Sequence, residues 1–439
     1  MRYFLSLLFL LFPFLAAAQI STDGSSVPVT PPARGIRAVW LCTYSGLDWP
    51  GRHYARTEAE ARDQRARLSR IFDGLQAAGI NTVLFQTRLR ATVAYPSQIE
   101  PWDGAFSGTP GVAPPYDVLR FAIEEAHRRG MELHAYLVTY PANTLTDAKR
   151  LGRQALPARH PELCTRTGDK WHLDPGVPGT AEYLAEIVRE IVSNYDVDGI
   201  HLDYIRYPEP SIPFDDRSTY AHYGNHLPKA EWRRENVNRT VQLISETARA
   251  IRPWVKITCA PIGKYADLPA QSSKGWNARD AVSQDAQLWL RRGWMDGLYP
   301  MMYFDGQHFY PFAVNWKEYA HGRPVVPGLG AYQLAPEERN WSLLQIIRQL
   351  RFIHAEGFAG EAYFRSQFLL DNVKGLLDFV HDNYARPMLP PAMTWHDSIP
   401  PAAPQLRQHP SRSALHFTWN AVADATPEHY NLYRLTPSG

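Results

Sequence analysis

The segment from Asp198 to Pro208, DGIHLDYIRYP, holds the residues of this chain that are best placed to do chemistry. Apolar and polar residues alternate along it with the period of a β-strand, so His201 and Asp203 share one face. A carboxylate at the end of a buried strand is costly unless it is paired or used. Because active sites of parallel α/β proteins form at the carboxyl ends of strands, the pattern favours a catalytic role for Asp203.

Hydrolysis of a glycosidic bond is the chemistry that fits this carboxylate best. That reaction usually needs two carboxyl groups, one that protonates the leaving oxygen and one that attacks or activates water. Asp203 is the predicted nucleophile or base, and Asp305 is the first candidate for the acid. Because the acid must be protonated, Asp305 is expected to lie in a less polar environment than Asp203. Glu361 and Glu209 are the alternative acids. Asp198 opens the same strand at its other end and is interpreted as a turn residue.

Strand alternation also predicts which polar side chains point inward and contact the substrate. Several of them follow or end different strands, so that imidazole, guanidinium and carboxylate groups would meet at one end of the fold. The predicted substrate-binding residues are Gln86, Arg88, His134, His201, Tyr204, Arg206, Tyr303 and Glu361.

Eight strand-like runs must position these residues. They are Arg37–Cys42, Asn81–Arg88, Glu132–Tyr140, Gly199–Tyr204, Lys256–Pro261, Gly297–Tyr303, Pro324–Ala331 and Ala359–Phe364. Amphipathic stretches lie between them, among them Arg62–Ala78, Tyr116–Arg129, Thr180–Tyr195, Trp232–Ile251, Asp280–Arg292 and Ser342–Ala355. Strand–helix alternation repeated eight times predicts a (β/α)8 TIM barrel, here over residues 34–386.

The two ends of the chain differ from this central region. Residues 1–18 have the charged start, apolar core and small-residue cleavage site of an export signal, which predicts a periplasmic or secreted protein. Residues 19–33 are interpreted as a linker, and the proline-rich residues 387–404 as a second, stiff linker. The pattern from residue 405 to 439 is typical of the start of a fibronectin type III-like β-sandwich, and it is too short to complete one.

Composition argues against several other functions. The formal net charge of +2 gives no electrostatic reason to expect nucleic acid as a partner. No second apolar stretch is long enough to predict a membrane span. Three cysteines do not form a disulfide framework. Because no metal-ligand spacing, phosphate loop or dinucleotide fingerprint is found, neither a metal nor a cofactor is predicted, and the expected partner is a polysaccharide.

The chain resembles the glycosyl hydrolase-like family ten over about residues 34–385. The resemblance is carried by RAVWL from Arg37, ELHAYL from Glu132, the segment Asp198–Pro208 and the run from Ser283 to Pro300. It implies a (β/α)8 barrel that hydrolyses a polysaccharide, and some members act on peptidoglycan glycan strands stripped of their stem peptides. Two positions depart from the family pattern: PMMYF replaces Pro-Gln-x-Tyr-Trp at strand six, and Tyr204 stands where many members have a second Asp.

Other functions remain open at this point. A non-catalytic carbohydrate-binding barrel would keep aromatic platforms such as Trp102, Trp276 and Tyr332 but would not need paired carboxylates. A glycosidase acting on a dietary glycan or an exopolysaccharide is a further alternative. The sequence favours a glycosidase whose substrate is a bacterial polysaccharide, with denuded peptidoglycan first.

Overall fold

Eight parallel strands form the centre of the protein in a computed structural model that describes residues 33–271, 275–384, 386–400, 402–409 and 416–422. The strands are β1 Ile36–Leu41, β2 Thr82–Arg88, β3 Glu132–Val138, β4 Gly199–Asp203, β5 Lys256–Cys259, β6 Gly297–Leu298, β7 Gly328–Leu329 and β8 Gly360–Tyr363. They are ordered β6-β5-β4-β3-β2-β1-β8-β7, and every pairing is parallel.

Backbone hydrogen bonds join the two ends of this order. The N–H of Leu298 donates to the carbonyl of Pro324 at 3.0 Å, and the N–H of Gly328 donates to the carbonyl of Pro300 at 2.8 Å. These bonds run between the segments around β6 and β7, so the sheet curls closed. The predicted (β/α)8 barrel is therefore confirmed, although β6 and β7 are much shorter than the predicted strands.

At least one helix follows each strand on the outside of the barrel. The helices are α1 Glu58–Ala77, α2 Val118–His127, α3 Pro178–Asn194, α4 Lys229–Ile251, α5 Ala286–Arg291, α6 Phe309–Glu318, α7 Leu343–Ala355 and α8 Leu376–Asn383. A capping box begins α1: Thr57 accepts from the N–H of Glu60 at 3.3 Å, and the Glu60 carboxylate accepts from the N–H of Thr57 at 3.1 Å. Gly79 follows α1 with φ 72°, which is the left-handed termination expected there.

The alternation of side chains along each strand divides the apolar core into two parts. Outward residues such as Val83, Ile200 and Leu202 pack against the helices. Inward residues such as Trp40, Tyr136 and Tyr299 fill the barrel itself. The inward set is rich in aromatic rings, and it forms the floor on which the residues at the carboxyl ends of the strands rest.

The predicted helix Asp280–Arg292 is broken into two pieces, Ala278–Ala281 and α5. Ser283 lies at the break with φ 61°, a left-handed conformation that ends a helix. The break allows Gln284 to turn inward, where its side-chain oxygen accepts from the N–H of Ile262 at 2.9 Å. Periodicity alone cannot show this, because both pieces keep the apolar face of one longer helix.

Shorter elements complete the loops. A three-stranded antiparallel sheet of Pro141–Thr144, Cys164–Thr167 and Lys170–Leu173 follows β3. The short helices are Gly104–Ser107, Leu145–Leu151, Leu156–Arg159, Arg217–Tyr223 and Ser366–Leu370, with 3-10 turns at Tyr44–Gly46, Gly152–Gln154, Pro161–Leu163, Gly306–His308, Ala331–Leu334 and Val373–Gly375. Two-residue strands occur at Ala33–Arg34 and Met388–Leu389.

The chain divides into a unit spanning Arg34–Met393, which holds the barrel, and a second unit whose described residues are Ala33 and those from Thr394 onward. In the second unit, Leu406–His409 and His416–Trp419 pair as an antiparallel hairpin. The predicted export signal, most of the predicted N-terminal linker and most of the predicted fibronectin type III-like segment lie outside the described residues. Cys42, Cys164 and Cys259 are all free thiols. Within the described ranges, none of the helices has the length and apolarity to cross a bilayer.

Candidate active site

Asp203 lies at the carboxyl end of β4, inside the barrel mouth, with only 5% of its surface exposed. The hydroxyl of Tyr136 donates to one carboxylate oxygen at 2.7 Å, and the backbone N–H of Tyr204 donates to the other at 2.7 Å. Burial raises the pKa of Asp203, whereas the hydrogen bond from Tyr136 and the charge of Arg206 act in the opposite direction. The carboxylate is thus held in a fixed orientation in a poorly solvated place.

The backbone around Asp203 is fixed as firmly as its side chain. Thr139, in the loop after β3, donates to the Asp203 carbonyl from its N–H at 2.9 Å and from its hydroxyl at 2.7 Å. Tyr204 then adopts φ 52°, a left-handed conformation that turns the chain sharply at the end of the strand. These contacts aim the carboxylate across the mouth.

The hydroxyl of Tyr303 lies near Asp203 and makes no hydrogen bond among the described residues. Its ring packs against Phe364 and Tyr332, with centroid separations of 5.3 and 5.6 Å. The hydroxyl oxygen is buried without a hydrogen-bond partner among the described residues. Burial, followed by the negative charge of Asp203, raises the pKa of Tyr303 well above its ordinary value. A buried hydroxyl with no partner is costly, so this one is available for a ligand.

His201 lies beneath Asp203 as part of the barrel floor. The indole N–H of Trp40 donates to its Nε2 at 3.1 Å, and its Nδ1 lies 2.9 Å from the hydroxyl of Thr258. Because an indole only donates, Nε2 must be the unprotonated nitrogen, and Nδ1 carries the proton. Burial lowers the pKa of His201 well below its ordinary value, with the charge of His134 as a smaller cause. The predicted contact with substrate is wrong, since the neutral ring is fully buried with both nitrogens occupied.

His134 lies one layer deeper than His201, and the prediction that it contacts substrate is also wrong. Its Nε2 is 3.2 Å from the carboxylate of Glu132, and 1% of the residue is exposed. A Cβ added at Gly199 would come within 2.7 Å of the ring, so glycine is needed there for the histidine to fit. Glu132 in turn pairs with Lys256 across the barrel.

Arg88 was predicted to bind substrate, but the structure places it in a buried network. Its Nε and Nη2 donate to the carboxylate of Glu100 at 2.8 and 2.7 Å, and its Nη1 donates to the carbonyls of Val138 and Thr139. Tyr183 donates to the same carboxylate at 2.9 Å. The register between β2 and β3 shifts between Gln86 and Arg88, which turns Arg88 away from the mouth. The guanidinium has no surface open to a ligand.

Glu361 points in the opposite direction from the one predicted. Its neighbour Ala362 belongs to the inner core, so Glu361 faces the helices. Its carboxylate accepts from the hydroxyl of Tyr384 and lies 3.2 Å from Nε2 of His354. The predictions of Glu361 as a substrate contact or as an alternative acid are therefore wrong, because the carboxylate lies between β8 and the helical layer.

Gln86 holds the loop that follows β1. Its side-chain oxygen accepts from the N–H groups of Thr43 and Tyr44 at 2.9 and 2.7 Å. The Thr43 hydroxyl donates to the Gln86 carbonyl at 2.8 Å. The residue is 5% exposed. Gln86 therefore fixes the loop after β1 at the mouth of the barrel.

Tyr204, Arg206 and Trp276 form a stacked rim on one side of the mouth. The Arg206 guanidinium lies 4.6 Å from the ring centroid of Tyr204 and 5.2 Å from that of Trp276. Glu209 pairs with the same guanidinium at 3.5 Å. Tyr204 and Trp276 are 38% and 36% exposed, so both side chains are accessible to solvent. Exposed rings of this kind are platforms on which a sugar can stack.

Asp305 follows β6 on a loop, where it precedes the turn Gly306–His308 without a side-chain capping bond. Its side chain is exposed. The expectation that this carboxyl lies in a less polar environment than Asp203 is wrong in this structure: Asp203 is the buried one of the two.

An ion pair between Asp48 and Arg365 also closes one side of the mouth, and sequence reasoning did not find it. Asp48 accepts from Arg365 and from the N–H groups of Cys42 and Gln367, at 2.7 and 3.2 Å for the last two. Burial raises the pKa of Asp48, and Arg365 opposes that shift. The pair ties the loop after β1 to the segment after β8. Across the described ranges, no group of His, Cys, Asp and Glu residues has the arrangement to hold a metal ion.

A closed eight-stranded parallel barrel with a buried carboxylate among aromatic side chains at its mouth is an arrangement typical of (β/α)8 enzymes. The family described as glycosyl hydrolase-like 10 matches residues 35–327, and the chain belongs to this family. The resemblance and the glycosidase class predicted from the sequence are thus confirmed.

Individual relatives agree with this assignment. The chain is 30% identical to glycosyl hydrolase YngK of Bacillus subtilis over 421 residues, which is 90% of this chain and 81% of that protein. It is 33% identical to glycosyl hydrolase DigH of Escherichia coli over 301 residues, 64% of this chain and 69% of that protein. The PgaB (BpsB) glycoside hydrolase domain from Bordetella bronchiseptica has a similar fold, with a TM-score of 0.54, 13% identity and coverage of 80% of this chain and 98% of that domain.

Proposed function

We propose that this glycosidase cleaves its glycan with Asp203 as nucleophile or base. The observation that carries the proposal is the geometry at the end of β4, where a buried carboxylate is oriented by Tyr136 and faces a mouth that also contains the unpartnered hydroxyl of Tyr303. A group that attacks a sugar must be held in place and still be reachable. Asp203 is held in place by these hydrogen bonds, and it lies at the carboxyl end of β4, the end of a (β/α)8 barrel at which substrates bind.

The surroundings of Asp203 suit the charge that develops during glycoside cleavage. The anomeric centre becomes positive in the transition state, and an ionised carboxylate stabilises it strongly where water is scarce. Tyr136 and the Tyr204 N–H hold one oxygen each, which keeps the carboxylate from rotating. In a retaining reaction Asp203 would bond to the anomeric carbon, and in an inverting one it would take a proton from the attacking water.

We retain Asp305 as the proposed acid, with Glu209 as the alternative. Asp305 follows β6 two positions after Tyr303, whose hydroxyl lies in the electrostatic reach of Asp203. An acid at this position would protonate the leaving oxygen of a sugar bound in the mouth. Glu209, in contrast, is already engaged by the guanidinium of Arg206 at 3.5 Å.

Leaving-group dependence separates the two candidate acids. A variant that lacks the acid should cleave natural glycan slowly and an aryl glycoside with a good leaving group at close to the parental rate, because protonation then matters little. We expect this behaviour from Asp305→Asn and a uniform, small effect from Glu209→Gln. If Glu209→Gln shows the selective loss instead, the acid is Glu209.

We further propose that the substrate is an N-acetylated bacterial glycan, with peptidoglycan strands lacking stem peptides first, and that the protein is exported to reach it. The predicted export signal and the family resemblance support this, and the exposed rings of Tyr204 and Trp276 provide stacking surfaces for a polysaccharide.

The test is a screen of purified protein against denuded strands, intact sacculi, chitin and α-glucans, with Asp203→Asn as the control. New reducing ends from denuded strands with the parent, and none with the variant, are the expected result. Hydrolysis of α-glucans alone would overturn the proposed substrate. Hydrolysis of denuded strands at the same rate by both proteins would overturn the role of Asp203.

A further inference from the structure

Arg90 is a cation at the barrel mouth that glycosidic bond cleavage itself does not require. It follows β2 in the chain, and its guanidinium lies 4.5 Å from the ring centroid of Tyr44 in the loop after β1. Its carbonyl accepts from the side chain of Asn143, in the segment after β3, at 2.9 Å. The charge of Arg90 also reaches the hydroxyl of Tyr204, where it lowers the pKa that burial raises. Arg90 therefore lies among the loops that surround Asp203.

Other arginines near the mouth are paired with carboxylates, and Arg90 differs from them. Arg88 pairs with Glu100, Arg206 with Glu209 and Arg365 with Asp48. Arg90 is half-buried and makes no ion pair with any residue in the part of the chain that the structure describes. A partly desolvated guanidinium beside an active site, without an acid of its own, is suited to an anionic group of a ligand.

We propose that Arg90 binds a carboxylate of the glycan and makes the enzyme selective for strands that carry a free one. This inference rests on the proposed function and specifies its substrate further. In peptidoglycan, every second sugar bears a lactyl ether whose carboxyl is an amide while the stem peptide is attached. Removal of the peptide frees a carboxylate on each such sugar. A guanidinium pairs with that carboxylate through two hydrogen bonds and cannot do so with the neutral amide.

The surroundings of Arg90 prepare it for this contact. Tyr44 supports the guanidinium from one side, and Gln86 fixes Tyr44 through its backbone N–H. Asn143 fixes the Arg90 backbone and is itself held, because its side-chain oxygen accepts from the N–H of Leu156 at 3.0 Å. Less ordering of the side chain is then needed when the ligand binds, which favours affinity.

The experiment compares denuded strands with the same strands after their carboxyl groups have been converted to methylamides. For each substrate, kcat/KM is measured by release of reducing ends for the parent, for Arg90→Gln and for Arg62→Gln, which removes an equal charge from an exposed position on α1. The parent and Arg62→Gln should prefer the carboxylate form by about 10- to 100-fold, the usual effect of a charged hydrogen bond. In Arg90→Gln this preference should fall to near one.

Arg90→Lys sharpens the result, since it keeps the charge without the two-pronged geometry and should retain only part of the preference. A preference in Arg90→Gln equal to that of the parent would overturn the role of Arg90 while leaving the proposed function intact. A parent that hydrolyses the two forms equally would also overturn it. A parent that hydrolyses neither form overturns the proposed substrate, and the role of Arg90 falls with it.

Discussion

Two buried carboxylates of this barrel have similar neighbours but lie on opposite faces of the sheet. Asp203 and Glu361 are 5% and 1% exposed. Each accepts a hydrogen bond from a tyrosine hydroxyl, Tyr136 for Asp203 and Tyr384 for Glu361. Burial and polar contacts alone would give both residues the same function.

The difference lies in what remains unsatisfied around them. Around Glu361, His354 occupies one carboxylate oxygen and Tyr384 the other, and the hydroxyls of Tyr384 and Tyr363 lie 2.7 Å apart. Around Asp203, the hydroxyl of Tyr303 has no partner among the described residues. Glu361 belongs to a network that is complete without a ligand, whereas the network of Asp203 is completed by one.

The largest expected effect is on turnover. Asp203→Asn should lower kcat by about 10³-fold or more, because the lost charge acts mainly on the transition state. Glu361→Gln should keep kcat within about threefold of the parent, since its carboxylate faces the helices. Initial rates on the same glycan check both. Equal losses in the two variants would remove the functional contrast between the sites.

Tyr136→Phe should have an intermediate effect on rate and a visible effect on its pH dependence. The Tyr136 hydroxyl opposes the burial that raises the pKa of Asp203, so its removal moves that pKa further up. Asp203 must be ionised to attack, and the acidic limb of the kcat/KM profile should therefore move to higher pH. We expect a loss of about tenfold near neutral pH. An unmoved acidic limb would contradict the assignment of that limb to Asp203.

The free energy of unfolding should show the reverse order: it should depend on the carboxylate of Glu361 more than on that of Asp203. Glu361→Leu leaves His354 and the hydroxyl of Tyr384 without their common partner, which should cost about 1–3 kcal/mol of unfolding free energy. Urea denaturation followed by circular dichroism measures this. Glu209→Leu is the matched control, because Glu209 is partly exposed and its pairing with Arg206 should be worth no more than about 1 kcal/mol. A neutral Glu361→Leu would show that its network is not structural.

The smallest effect is a pH-dependent gain in stability on removal of the Asp203 charge. Burial raises the pKa of Asp203 in the folded state above its unfolded-state value. The protonated form therefore adds stability that is fully present below the unfolded-state pKa. This stability is lost as the pH rises through the folded-state pKa. Asn cannot lose a proton in this way, and its amide can satisfy both Tyr136 and the Tyr204 N–H. Asp203→Asn should therefore have the higher Tm at pH 7, with the difference vanishing below about pH 4. A lower Tm at pH 7 would contradict this.

Much of the fold follows from local pattern, and so does the position of Asp203. Strand β4 alternates clearly between apolar and polar residues, so the inward direction of Asp203 was predictable. Strand β8 offers no such alternation in its sequence, GEAY. Alternate residues of a strand face opposite sides, but the sequence does not show which of the two sets faces inward; in the structure it is the set that contains Ala362, and Glu361 faces outward. The sequence also cannot show the register shift in β2 that turns Arg88 away.

Contacts between distant parts of the chain were not accessible from the sequence. Asp48 and Arg365 are 317 positions apart, and only the closure of the barrel brings β1 beside β8. The isolation of Arg90 from acidic residues is likewise a property of the folded loops. Strand pattern predicts which residues reach the mouth, whereas three-dimensional neighbours determine which of them are free to bind.

Chemical rescue of Asp203→Ala with azide tests the central claim most directly. The small anion can occupy the space left by the carboxylate and attack the sugar in its place. We predict that Asp203→Ala loses glycan hydrolysis, that azide restores part of the rate, and that the product formed is a glycosyl azide detectable by mass spectrometry. Glycan hydrolysis by Asp203→Ala at the parental rate without azide would contradict the claim that Asp203 is the catalytic carboxylate.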